Sequence, residues 1–400
     1  MAILKLDASH TDRHSNVINA AISYPQEDVW FDRINMLRFL LIIGLVLLHY
    51  GSYPGSDISP FRGLIESPFP LATFFNSYIL FFFFSAVPLL STISGWLFFK
   101  NFKPGSAFFV GRFISRSRSV LLPMILWNAL VLGAMVVIFH LYPDSPALSY
   151  VRYSMNEMDW SSVINSLFGV TQHPINFQFW FLRDLLLTVA ISPLLALFLR
   201  RNPWAGFTLL ALGWLSGFDF LIFFRSDVVF FFYLGAMVRF GYMQFPEVSR
   251  RAAISLMLFY VWLVALRTLA PFVFDEANPT EDFLLDFATR IMRLFGVAAF
   301  WTISPYLVMG KPGQLLVKLG PLAFFLHAIH WPMNQAIKQF LDVILPSGGG
   351  YLIINYILTA LITVMLAVLI ARILHRTVPA VFNTLSGGRG GVFANRANSC

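Results

Sequence analysis

Ten apolar runs, each about twenty residues long, constrain this chain more than any other feature. They fall at roughly 34–50, 78–99, 120–141, 179–199, 204–224, 228–243, 252–272, 294–310, 319–341 and 351–372. The hydrocarbon core of a bilayer is about 30 Å thick, and about 20 helical residues cross it. Backbone amides find no water there, so each run is expected to satisfy its own hydrogen bonds as a helix. Composition agrees: 12% of the 400 residues are charged, about half the usual share of a soluble protein. The expected fold class is an all-α polytopic integral membrane protein, a bundle of about ten transmembrane helices.

The net charge of +8 does not call for a nucleic-acid partner, because the placement of the cations explains it. With a cytoplasmic N-terminus, 19 lysines and arginines fall in cytoplasmic segments and six on the opposite side: Arg62, Arg152, Arg225, Arg290, Arg293 and Lys338. Arg38, Arg183 and Arg267 lie in or beside the apolar runs. This asymmetry is the positive-inside pattern, so both termini are expected to be cytoplasmic. The first thirty residues contain no apolar h-region, and no removable signal peptide is expected. The sole cysteine is Cys400, which excludes an internal disulfide, thiolate metal sites and cysteine catalysis. No metal site is expected, since no metal-binding "HExxH" occurs. The expected organisation is a flexible cytoplasmic segment over 1–33, one transmembrane domain over 34–372, and a flexible Gly-rich cytoplasmic tail over 373–400.

Polar residues inside the first run, "NMLRFLLIIGLVLLHY", carry the functional signal. Eleven residues separate Arg38 from His49, about three helical turns, which leaves the side chains roughly 20° apart and about 16 Å along the axis. An ionisable group in a membrane helix is costly and normally faces a protein interior or a hydrated cavity. Two on one stripe suggest a polar path. The alternative is that Arg38 snorkels to lipid phosphates while His49 sits in the opposite interface.

The spacing R-x10-H in a first span resembles the signature of the membrane-bound acyltransferase-3 family. Four further segments resemble that family in the same order along 34–372. They are "LLSTISGWLFFK", with Ser94, Gly95 and Trp96; "GRFISRSRSVLLP"; the tryptophan-led "FWFLRDLLLTVAISPLL"; and "FFLHAIHWP". Many members place a glutamate where this chain has Arg183 and Asp184, so the resemblance implies that Asp184 supplies the acid.

The resemblance implies an O-acyltransferase, first of all an O-acetyltransferase, of a bacterial-type cytoplasmic (inner) membrane. Its donor would be acetyl-CoA or another acyl-CoA, used as a substrate rather than a resident cofactor. Its acceptor would be a hydroxyl of a polysaccharide or lipid-linked oligosaccharide, with the bilayer and glycan-assembly machinery as surroundings. CoA is a cytoplasmic polyanion, and arginine forks bind phosphate oxygens in pairs. Arg38, Arg112, Arg116 and Arg118 are therefore the donor-binding candidates, although the last three also satisfy ordinary positive-inside placement.

A sugar hydroxyl needs a base that titrates near neutral pH, which points to His49. An acyl-histidine relay is a variant of that role. His330 is the second catalytic candidate; with His327 and Asn334 it forms a polar face at i, i+3 and i+7, equally readable as interhelical hydrogen bonding. Asp184 completes the catalytic set, against a local pairing with Arg183. His173 precedes a proline and reads first as turn chemistry. Ser85, Ser91 and Gly95 read as close-packing residues. A competing class is a transporter or flippase of a lipid-linked glycan, which would use the same polar path without covalent chemistry. A third is a non-catalytic component of a glycan-assembly complex.

Overall fold

The structure is a computed structural model and describes residues 27–389. Among these residues it is helical throughout, with no strand. Most of the expected cytoplasmic N-terminal segment, the end of the tail and Cys400 lie outside the described residues.

Helix α1 (Glu27–Leu48) occupies the centre. Met36, Leu37, Phe39, Leu41, Leu45 and Val46 are all buried and point to every side of the helix, the pattern of an element enclosed by others. Around it pack α2 (Pro70–Phe98), α10 (Pro279–Val308), α11 (Lys311–Leu319), α12 (Ala323–Ile344) and α13 (Gly349–Thr377). Beyond them lie α3 (Ser106–Leu141), α4 (Trp160–Phe168), α5 (Trp180–Ala190), α6 (Ser192–Arg201), α7 (Pro203–Ser216), α8 (Asp227–Arg239) and α9 (Arg250–Phe272). A short α14 (Pro379–Leu385) closes the chain.

Among the described residues, six helical stretches are long and apolar enough to cross a membrane: α2, α3, α9, α10, Lys311–Ile344 and α13. A seventh results if α5 and α6, which bend by 57° at Ile191, count as one broken span. Pro193 begins the second half, and its ring disfavours continuous helix before it. The remaining expected spans differ for identifiable reasons. α1 has sufficient length but carries Asp32, Arg33 and Arg38 within it. The runs 204–224 and 228–243 form helices of 14 and 13 residues, about 20 Å each and short of the hydrocarbon thickness. Between them the backbone leaves the helix at Gly217 (φ 78°) and turns through Phe220 and Leu221 at positive φ. The amides freed in that turn are paid by two carboxylates: Phe224 and Arg225 donate to the buried Asp184, and Ser226 donates to the half-buried Asp219. Irregular backbone at membrane depth requires such partners.

Two close approaches lock the frame. A Cβ on Gly95 of α2 would lie 1.9 Å from the carbonyl oxygen of Phe232, and one on Gly235 of α8 would lie 1.9 Å from that of Thr92. The helices cross backbone to backbone, which bears out the packing role expected of Gly95. The basic stretch of α3 contains a π-helical turn, Ser117–Leu121, just before Pro123. Proline cannot donate to the carbonyl four residues back. That carbonyl, on Ser119, accepts from Arg389 instead (3.4 Å).

The region expected as a tail from 373 is folded as far as 389. α13 continues to Thr377, Phe382 of α14 is fully buried, and the Leu385 carbonyl accepts from Trp127 Nε1 (3.1 Å). Aromatic anchoring of α14 against α3 is the physical reason.

Candidate active site

His49 is the first residue past the last full turn of α1, and α12 holds it from two directions. Gln335 Nε2 donates to the His49 carbonyl (3.1 Å), and Lys338 Nζ donates to the carbonyls of Tyr50 and Ser52 (3.1 Å each). A cation at a helix C-terminus satisfies orphan carbonyls and complements the dipole. The imidazole is held separately: His49 Nδ1 lies 2.8 Å from His330 Nε2, with the ring planes 2° apart and the centroids 5.2 Å apart. The centroid distance so exceeds the N···N contact that the rings meet edge to edge in one plane.

That chain has a direction. His330 Nδ1 faces the Leu326 carbonyl at 3.2 Å, which can only accept, so Nδ1 carries the hydrogen. In neutral imidazole the other nitrogen is then bare, and His330 Nε2 accepts from His49 Nδ1–H. The lone pair left free is on His49 Nε2. His49 lines a cavity of about 340 Å³, within the range of small-ligand sites. Phe177, Trp180, Phe181 and Trp331 give this cavity aromatic walls, and Arg152, Arg225 and Asp227, with His173, add polar and charged groups to its lining. Asp227 is buried and paired there with Arg225 (2.6 Å) and Arg293 (2.9 Å), and Trp214 Nε1 donates to it (2.5 Å). His173, in the loop before α5, stacks on Phe224 with centroids 4.4 Å apart. Burial pulls its pKa below the ordinary 6.5, and the charges of Arg152 and Arg183 add to the effect.

Arg38 faces a second cavity, of about 110 Å³, lined also by Arg116, Arg389, Ser94, Phe324 and Gly320. Among the described residues, no carboxylate lines it. His327 and Phe181 line both cavities and form their common wall. Neither ring nitrogen of His327 has a hydrogen-bond partner among the described residues.

The other candidates separate. Asp184 is fully buried and lines neither cavity. It accepts from Arg183 Nη1 (2.8 Å), Phe224 N (3.0 Å) and Arg225 N (2.9 Å). Arg183 also donates to the carbonyls of Gly169, Val170 and Ile222. The pair thus joins the α4–α5 loop to the α7–α8 turn that presents Arg225 to the His49 cavity. Of the arginines in the basic stretch, Arg116 lines the Arg38 cavity. Arg112 donates to the Lys100 carbonyl and lies over Phe108, and Arg118 is exposed. The face at His327, His330 and Asn334 is interrupted at Trp331, which has non-helical φ and ψ. Asn334 donates to Val46 O (3.1 Å) and accepts from Thr363 Oγ1 (3.3 Å), which is interhelical bonding.

Sequence reasoning did not single out Arg389, Lys338, Arg152 or the Arg225–Asp227–Arg293 group. Position in apolar runs could have flagged Lys338. Nothing local marks the others, because helices far apart in sequence bring them to the cavities.

Comparison with known proteins agrees with the family resemblance. A family model, Acyl_transf_3, described as an acyltransferase domain, matches residues 31–376. The chain is also similar to the succinoglycan biosynthesis protein ExoH of Rhizobium meliloti (strain 1021), at 28% identity over 368 residues. That match covers 90% of this chain and 92% of that protein. No solved structure matches. With a multi-pass helical frame, an oriented histidine pair on one cavity and a family match over most of its length, the chain belongs to the acyltransferase-3 family.

Proposed function

We propose that this protein is an O-acyltransferase of the bacterial inner membrane, with acetyl-CoA as the first donor to test and a hydroxyl of a surface polysaccharide or lipid-linked oligosaccharide as acceptor. The name of the similar ExoH protein, a succinoglycan biosynthesis protein, supports a polysaccharide acceptor. The proposed topology has ten membrane crossings, with α1, the α5–α6 pair, α7 and α8 completing the set and both termini cytoplasmic. The cation asymmetry supports it. The Arg38 cavity then faces the cytoplasmic donor and the His49 cavity faces the acceptor.

One observation carries the reaction: the hydrogen-bond chain Leu326 O, His330, His49 leaves a bare Nε2 on a residue that lines a ligand-sized cavity. The acceptor hydroxyl gives its proton to that nitrogen as its oxygen attacks the thioester carbonyl. The tetrahedral intermediate then expels CoA thiolate, which takes the proton back from His49 as free CoA forms. An ester bond replaces the thioester, and His49 is restored. His330 holds the tautomer. Arg38 and Arg116 neutralise donor phosphates. Asp184 positions the turn carrying Arg225, and Arg112 and Arg118 supply general attraction for the polyanion.

The test is acyl transfer on membranes with labelled acetyl-CoA, comparing wild type with His49→Ala at equal protein level. Activity should fall by about 10²–10⁴-fold, the usual worth of a positioned base. Wild-type activity in the variant removes His49 as the base. Movement of an unmodified lipid-linked glycan without CoA would favour a flippase.

A further inference from the structure

The end of the chain forms part of the Arg38 cavity. Arg389 lines it together with Arg38 and Arg116, and its placement is built rather than incidental. Leu385 is tied to Trp127, and Arg389 Nη1 donates to the carbonyls of Ser386 (3.1 Å) and Ser119 (3.4 Å). The guanidinium lies 4.8 Å over the Phe324 ring, a cation–π contact. Gly387 makes the turn at φ 67°, where a Cβ would stand 2.2 Å from the Ser119 carbonyl oxygen. That carbonyl is the one Pro123 cannot engage, so two distant parts of the sequence are matched at one point.

Three guanidiniums share a cavity that no carboxylate lines among the described residues. Among the described residues, Arg38 and Arg116 make no hydrogen bond or ion pair, and both bonds of Arg389 come from Nη1, so Nε and Nη2 bond to none of them. Burial, and then the Arg116 charge, brings the Arg389 pKa down to about 10, which leaves it cationic at neutral pH. Like charges held together with no built-in counter-ion create demand for an anion. The volume, about 110 Å³, is that of a few waters and suits a phosphate group rather than a whole nucleotide.

We propose that the C-terminal turn 385–389 completes a phosphate site, in which Arg389 joins Arg38 and Arg116 in holding a phosphate of the donor's nucleotide portion. This rests on the donor reading above. The flexible arm of the donor would then bridge the roughly 16 Å from Arg38 to His49.

The test is calorimetric binding of CoA to the purified full-length protein. Arg389→Ala should bind at least about tenfold more weakly, and Arg389→Lys should fall between, since it keeps the charge but loses the fork. Added guanidinium ion should restore binding to Arg389→Ala, which a misfolded variant could not show. Arg372→Ala, an exposed cation at the end of α13, should bind like wild type. With dephospho-CoA, a penalty that vanishes assigns Arg389 to the 3′-phosphate, and one that persists assigns it to the pyrophosphate. Wild-type CoA affinity in Arg389→Ala, or no CoA binding by the wild type, overturns the inference. Arg389-dependent CoA binding without His49-dependent transfer leaves this site standing and removes the proposed reaction.

Discussion

Among single side chains, the direction of the His49–His330 hydrogen bond decides what His49 can do. His330→Phe preserves a ring but removes the acceptor that holds His49 Nδ1–H. Transfer is expected to drop by about 10²-fold or more, measured as acceptor-dependent release of CoA thiol. His330→Gln keeps an acceptor oxygen and should lose less. Equal activity in the two variants would show that the tautomer is not held this way. Asp184 offers a parallel contrast. Asp184→Ala strands Arg183 and two loop amides and is expected to lower the melting temperature in detergent markedly, since breaking a buried pair costs about 3–5 kcal/mol. Asp184→Asn keeps one acceptor and should retain measurable transfer. Complete loss of transfer in Asp184→Asn with an unchanged melting temperature would instead make it a catalytic acid.

Among elements, the crossing of α2 and α8 and the loop before α5 are the sensitive places. Gly95→Leu would drive a side chain into the Phe232 carbonyl, and overpacking of this kind costs about 1–3 kcal/mol. The expected result is a lower melting temperature and less protein in the membrane; a wild-type melting curve would contradict the close approach. His173 ties pH to the loop. Its native pKa lies below 6.5, so as pH falls through that value the unfolded loop binds a proton the native loop resists, and loop stability falls. Above 6.5 both states are neutral and nothing is lost. Limited proteolysis of the 142–176 loop should accelerate between pH 7 and 5, and His173→Gln should flatten the change.

For the molecule as a whole, the open question is which way it lies in the membrane. Cys400 is the only thiol in the sequence and therefore a native reporter. A membrane-impermeant maleimide should label intact cells only after the inner membrane is permeabilised, with Cys400→Ser as the control. Labelling of sealed cells would place the C-terminus outside and reverse the sides assigned to the two cavities.

Apolar run length made the membrane class and most helix positions legible, because hydrocarbon thickness and backbone hydrogen bonding act locally on any twenty consecutive residues. Helical periodicity predicts one stripe for Arg38 and His49; in the structure they line two cavities whose common wall is His327 and Phe181. The short α7 and α8 were not legible, because the carboxylates of Asp184 and Asp219 accept from the amides of an irregular turn that hydropathy reads as more helix. Nor was the split of the arginines: Arg112, Arg116 and Arg118 lie within seven residues, yet packing against Lys100, the cavity and solvent sends them three ways. The tautomer of His49, the shared wall at His327 and the return of Arg389 depend on contacts between distant residues, His49 with His330 281 positions away and Arg389 with Ser119 270 positions away. Such contacts depend on how whole helices pack, and only the folded bundle decides them.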